Sequence, residues 1–201
     1  MKITIVCAGK LKEKYLHDGI IEYEKRLRSY ADVSIIEINE ERMKERPSAA
    51  EREETLRREG KRLRAKVPRD AYLIVLDISG EAYTSEELSA KIDRIGLEGQ
   101  SHIVFLIGGP FGLSEEVGRV ADLRLSFSRF TFPHQLIRLF LMEQIYRSFK
   151  ISRGEPYHLW NTKRSLQNMQ RPLFVFLVHI VFIAIMSIQT SIPCAILCHV
   201  R

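Results

Sequence analysis

Cysteine is scarce in this 201-residue chain. Cys7, Cys194 and Cys198 are too few and too unevenly placed for a disulfide framework. The amino-terminal stretch MKITIVCAGK lacks an apolar segment of signal-peptide length. A reducing, cytoplasmic setting is the resulting expectation. Acidic residues are missing altogether from 159–201, where Lys163, Arg164, Arg171 and Arg201 supply four of the six net positive charges, so residues 1–158 carry only +2. So small an excess gives overall charge little weight as a sign of a nucleic-acid partner. Two glycine signatures are absent as well. The first strand ends Cys7-Ala8-Gly9-Lys10 without Gly-x-Gly-x-x-Gly, and no Gly-x-x-x-x-Gly-Lys-Ser/Thr occurs, which argues against a nicotinamide-dependent oxidoreductase and a phosphate-loop enzyme. Apolar material is plentiful. At 45% hydrophobic and 28% charged, the chain can build one ordinary globular domain with a sizeable core.

Up to His158, apolar runs alternate with charge-rich amphipathic stretches, the pattern of strands and helices taking turns. Strands are predicted at Lys2–Ala8, Asp32–Ile38, Ala71–Asp77, His102–Ile107 and Leu123–Ser126. Helices are predicted at Gly19–Ser29, Ala49–Lys66, Ser85–Leu97, Ser114–Val117 and Pro133–Lys150. The nearly unbroken runs AYLIVLD and HIVFLI read as strands covered on both faces. Strands separated by crossover helices pair in parallel, so the expected fold class is a three-layer α/β domain with a parallel sheet.

From residue 159 the alternation stops, and LFVFLVHIVFIAIMSI at 173–188 forms an apolar block short of the roughly 20 residues needed to span a bilayer. Residues 159–201 thus read as an atypical hydrophobic tail. It could be a membrane anchor, a helix packed on the domain, or a segment without an evolved role, such as a frameshift or read-through product. Cys194, Cys198 and His199 are too few and too poorly spaced for metal binding, and no metal is expected.

Three segments could carry chemistry. Gly108-Gly109-Pro110-Phe111-Gly112 follows the HIVFLI strand, where glycines let the backbone approach a ligand at the carboxyl edge of a parallel sheet. A tight strand-to-helix turn is the plainer reading. Ser126–His134 alternates hydroxyls with aromatics and could line a site for a flat heteroaromatic ring, or its phenylalanines could simply fill the core. His134, beside a helix amino terminus, suits neutral hydrogen bonding. The final helix, PHQLIRLFLMEQIYRSFK, is apolar on more than one face, from which we infer a second subunit as its cover and hence a homodimer. Beyond it, Arg153, Tyr157 and His158 could contact RNA phosphate and stack on a base, or form a solvated strap.

Taken together, MKITIVCAGKLKEKYL, LDISG at 76–80, LIGGPFGL at 106–113, LSFSRFTFPHQLIRLFLMEQIYRSFKI at 125–151 and RGEPYH at 153–158 strongly resemble the bacterial RlmH (YbeA-type) ribosomal RNA methyltransferases of the SPOUT superfamily. The resemblance runs through residues 1–158 and leaves 159–201 without a counterpart. It implies a homodimeric enzyme with a carboxyl-terminal trefoil knot that transfers a methyl group from S-adenosylmethionine to N3 of a pseudouridine in 23S ribosomal RNA on assembled ribosomes. It also implies that cofactor contacts fall on Leu76, Gly108, Phe127, Ser128, Arg129, Phe130, Thr131 and Phe132. His134, Arg138, Arg153, Tyr157 and His158 are then the candidates for binding substrate or stabilising the deprotonated ring. The alternative is a catalytically inactive SPOUT-like RNA-binding module, tethered to a membrane by the tail, which would need no S-adenosylmethionine.

Overall fold

The computed structural model describes residues 1–41 and 46–157. The apolar block at 173–188, together with Cys194, Cys198 and His199, lies outside the described residues. In chain order the elements are β1 (Lys2–Ala8), α1 (Lys14–Leu27), β2 (Asp32–Ile38), α2 (Ala49–Arg64), β3 (Tyr72–Ala82), α3 (Ser85–Leu97), β4 (His102–Ile107), α4 (Glu115–Arg119), β5 (Leu123–Ser126) and α5 (Leu136–Ser152). The strands form one sheet in the order β2-β1-β4-β3-β5, and every neighbouring pair is parallel.

Side chains of a strand alternate between faces, and here both faces are covered. Ile3, Ile5 and Cys7 of β1 and Ile103, Phe105 and Ile107 of β4 pack with α1, α3 and α5. Val6, Ala8, Val104 and Leu106 point the other way, into a core shared with Leu63 of α2 and Val117 of α4. This two-sided burial explains the continuous apolar strands, and it makes the domain the three-layer α/β fold that the alternation predicts. Each fully buried Ile, Leu or Phe contributes about 1.5–3 kcal/mol of transfer free energy.

Helix starts follow local chemistry. Ser48 and Thr84 close capping boxes with Glu51 and Glu87, so α2 and α3 each begin with reciprocal side-chain and backbone hydrogen bonds. Three boundaries differ from the sequence reading by three residues or more. α1 begins at Lys14, five residues before Gly19. β3 continues through Ala82 because Glu81 and Ala82 pair with Leu125 and Ser126 of β5. α5 begins at Leu136, because Pro133 opens a turn whose carbonyl accepts the N–H groups of Leu136 at 2.9 Å and Ile137 at 3.1 Å.

α5 also corrects the argument from its apolar girth. Leu141, Met142 and Ile145 are fully buried in the chain's own core, and Leu139 packs over Gly19 of α1, where a Cβ would come within 3.1 Å of it. Packing against α1 and α3 therefore covers most of the helix without a second subunit. What remains outside is Phe140, 36% exposed, in an edge-to-face ring pair with Phe132 at 5.6 Å.

The path from β5 to α5 sets the site. β5 lies at the sheet edge beside β3, whereas the first turn of α5 reaches β1: Arg138 donates through Nη2 to the carbonyls of Ala8 at 2.6 Å and Gly9 at 3.0 Å. Residues 127–135 consequently cross the carboxyl ends of β3 and β4. Among the described residues no helix is long and apolar enough to cross a membrane.

Candidate active site

A cleft opens where this crossing segment faces the carboxyl ends of β3 and β4, the edge at which parallel α/β sheets bind ligands. Ile107 at the end of β4, Leu76 just past the last β3 residue paired with β4, Leu125 of β5 and Phe127 give it an apolar floor, and the turn Gly108–Gly112 forms one wall. Ser128, Phe130, Thr131 and Phe132 close the opposite side, with Phe130 77% exposed at the rim.

The glycines have separate duties. A Cβ on Gly108 would press into the Gly112 carbonyl and the Leu113 side chain, so glycine is required there by the turn's own backbone. Gly112 has φ of +87°, donates its N–H to the Gly109 carbonyl at 3.0 Å, and leaves the space where a Cβ would sit open. Seven of the eight residues assigned to cofactor contact by resemblance thus line one cleft. Arg129 is exposed and is not part of the lining.

Among the described residues, those considered for catalysis do not converge within one chain. His134 lines the cleft, its Nε2 2.9 Å from Glu40 Oε1. Arg138 is completely buried beneath it. Its Nη1 donates to Glu37 at 2.8 Å and its Nη2 to the Ala8 and Gly9 carbonyls, so the guanidinium is held inside the fold and cannot reach a substrate. This corrects the expectation of a substrate-facing role: Arg138 is a positioning residue that ties the start of α5 to the ends of β1 and β2.

Arg153 and Tyr157 sit at the far end of α5, a helix of 17 residues and so about 25 Å long. Arg153 lies over the Tyr30 ring at 4.4 Å and donates to the Ser29 carbonyl. Tyr157 packs edge-on against Tyr146 and donates its hydroxyl to Glu143 at 3.2 Å, and burial pushes its phenol well above the ordinary range, keeping it protonated. His158 lies outside the described residues.

Two supports of the cleft went unread in the sequence. Asp77, in its wall, is paired with Arg124 at 2.6 Å and accepts the Ser79 N–H and hydroxyl, each at 2.9 Å. Glu59 of α2, only 6% exposed, accepts the Gly109 N–H. A signal for Glu59 existed: Thr55, Glu59 and Leu63 recur every fourth residue, and Gly60 packs so tightly that a Cβ would lie 2.6 Å from Ser114 Oγ. Cys7 is fully buried and its thiol is pushed up to about 12 by burial, so it is no nucleophile.

An apolar cleft walled by a glycine turn and an aromatic loop at the carboxyl edge of a five-stranded parallel sheet defines a small-molecule-binding α/β enzyme site. The family model described as "Predicted SPOUT methyltransferase" matches residues 1–158, and the chain belongs to that family of methyltransferases. It is 52% identical over 158 residues to the "Ribosomal RNA large subunit methyltransferase H" of Carboxydothermus hydrogenoformans, an alignment covering 79% of this chain and 99% of the relative. Proteins of the same name from Listeria monocytogenes and Pelotomaculum thermopropionicum are 52% identical over 158 residues and 51% identical over 156, covering 79% and 78% of this chain and 99% and 98% of those relatives.

Proposed function

We propose that the chain methylates N3 of a pseudouridine in 23S ribosomal RNA on assembled ribosomes, with S-adenosylmethionine as donor and residues 1–158 as the enzyme unit. The observation that carries this reading is the convergence of Leu76, the glycine turn and the 127–132 loop on one cleft, in a chain about half identical to proteins named for ribosomal RNA methylation.

The cleft fits the donor. Leu76 and Ile107 offer an apolar surface to adenine, while the backbone of the turn and of Ser128–Phe132 offers donors and acceptors to its edge and to the ribose. The bound donor supplies an electrophilic methyl on a sulfonium, so the protein's task is to place N3 in line with it and exclude water. His134 is the cleft's own group for holding the N3 proton or the deprotonated ring. Arg153 and Tyr157 lie too far along α5 to serve the cleft of their own chain, which supports a homodimer with the carboxyl-terminal segment of one protomer completing the site of its partner. The exposed Phe132 and Phe140 pair is the surface we assign to that interface. The same proposal keeps the trefoil knot, supported by the segment 127–135 that returns from the sheet edge across β3 and β4 to β1.

The test combines calorimetric titration with S-adenosylmethionine and methyl transfer to ribosomes lacking this methylation. Micromolar donor binding with transfer to one pseudouridine is expected. Ribosome binding without donor binding would favour the inactive RNA-binding alternative.

A further inference from the structure

We propose that the groove between α2 and α4 is a second contact for the RNA substrate, taking the phosphate backbone of a strand that flanks the target nucleotide. This rests on ribosomal RNA being the substrate. The groove encloses about 650 Å³ and is lined by Arg57, Lys61, Arg64 and Arg69, with Glu116 the one acid in its lining. Its floor is firm, because Gly60 and Val117 bring the two helices into direct contact.

The four cations are not equally engaged. Arg57 is paired with Glu54 at 2.8 Å, and Arg64 gives one N–H to the Val67 carbonyl at 3.3 Å. Lys61 and Arg69 are exposed and have no ion-pair partner among the described residues. The negative end of the α2 dipole accounts for basic residues in its last turn. It does not account for Arg69, which lies five residues beyond the helix and still faces the same groove. A residual charge of only +2 over residues 1–158 makes this local excess stand out, since many other arginines are matched by carboxylates, among them Arg26 by Glu22, Arg124 by Asp77 and Arg138 by Glu37.

Phosphodiester is the ligand class these groups fit. Lysine and arginine form charge-assisted hydrogen bonds with phosphate oxygens, and no aromatic side chain lines the groove to stack on a base, so it would hold a strand's backbone without reading its sequence. Its position suits a second contact on one RNA. Glu59 holds Gly109 at the back of the methyl-transfer cleft, Lys61 is two residues further along α2, and Arg64 is about 7.5 Å from Glu59 along the helix axis.

The experiment compares Lys61→Gln/Arg69→Gln with Lys25→Gln/Arg94→Gln, which removes the same charge from exposed positions on α1 and α3. Both are made in the full chain and assayed for methyl transfer to unmethylated ribosomes over a range of salt. The groove variant should raise KM for ribosomes on the order of ten-fold, leave kcat and S-adenosylmethionine affinity unchanged, and reduce the slope of log kcat/KM against log salt by about 1.4–1.8, the loss of two phosphate contacts. The control should keep the wild-type slope. An unchanged KM and slope in the groove variant, or an equal change in the control, overturns the groove while leaving the substrate reading intact. A wild-type chain that transfers no methyl to ribosomes overturns the substrate reading and the groove's role with it.

Discussion

The carboxylate of Glu59 accepts the Gly109 N–H at 3.2 Å through one oxygen and the Glu41 N–H at 3.3 Å through the other. A helix on the far layer of the sheet thus grips the glycine turn from behind, and Arg52 of the same helix stacks over Phe111 at the turn's tip, 5.6 Å from the ring centre. The wall of the cleft is therefore held in shape by α2. Glu59→Ala removes the acceptor from two N–H groups, at a cost of about 1–3 kcal/mol for each one left unpaired. S-adenosylmethionine affinity should fall on the order of ten-fold, by less in Glu59→Gln, which keeps one acceptor, and not at all in Glu53→Ala on the exposed side of the helix. Wild-type titration behaviour in Glu59→Ala would show that the turn holds its shape unaided.

Arg138 has a comparable role at the start of α5. Removing its guanidinium leaves the carboxylate of Glu37 without its ion pair and the Ala8 and Gly9 carbonyls without their donor. Glu37 is partly exposed and keeps the Leu11 N–H, so the main loss is at the two buried carbonyls, about 1–3 kcal/mol for each one left unpaired. Arg138→Met should show that loss in urea denaturation followed by circular dichroism, and an unchanged midpoint and slope would refute the role.

Acid should loosen the wall contributed by Asp77. Burial raises the pKa of this carboxyl, but the Ser79 backbone N–H, the Arg124 guanidinium and the Ser79 hydroxyl outweigh it, and the net shift is downward. The unfolded chain therefore takes up this proton at a higher pH than the folded one. Stability from the group is complete above the ordinary carboxylate range, about pH 4, and is lost as pH falls through the depressed folded value. The gap in denaturation midpoint between wild type and Asp77→Asn should be constant from pH 7 to 5 and shrink below about pH 4. A gap independent of pH would mean that the carboxylate's charge contributes nothing.

What the sequence disclosed depended on how local each feature was. The strands β1 and β4 and the turn after β4 were legible because a doubly covered strand must be apolar throughout and a tight turn must spend glycine. The extension of β3 was not: Ser79-Gly80-Glu81-Ala82 reads as loop, and it is strand only because β5 lies beside it, with Gly80 so close that a Cβ would be 2.5 Å from the Arg124 carbonyl oxygen. Glu59 and Arg138 were hidden for a related reason. A charged residue on a helix reads as solvated until its partners are known, and those partners stand 50 residues away at Gly109 and 130 residues away at Ala8. The cleft's lining could be carried over by resemblance because it occupies contiguous motifs, whereas the separation of Arg153 from it becomes visible only once the two ends of α5 are seen anchored, Arg138 at Ala8 and Gly9 and Arg153 at Ser29.

That separation allows a decisive mixing experiment. Gly108→Val should destroy the donor cleft, because the new Cβ meets the Gly112 carbonyl, and Arg153→Ala should leave the cleft intact while disabling the carboxyl-terminal segment. Each variant alone should be inactive on ribosomes, and only the second should bind S-adenosylmethionine. If the carboxyl-terminal segment serves its partner's cleft, a heterodimer of the two contains one site with both defects and one with neither. Unfolding and refolding an equimolar mixture should then restore about a quarter of wild-type activity, since half the dimers are mixed and each carries one good site of two. A soluble Phe140→Glu chain should sediment as a monomer and lack activity for the same reason. An active mixture requires sites shared between protomers. An inactive one, from variants that dimerise normally, would show that Arg153 serves only its own chain, whereas activity in Arg153→Ala alone would place it outside the reaction.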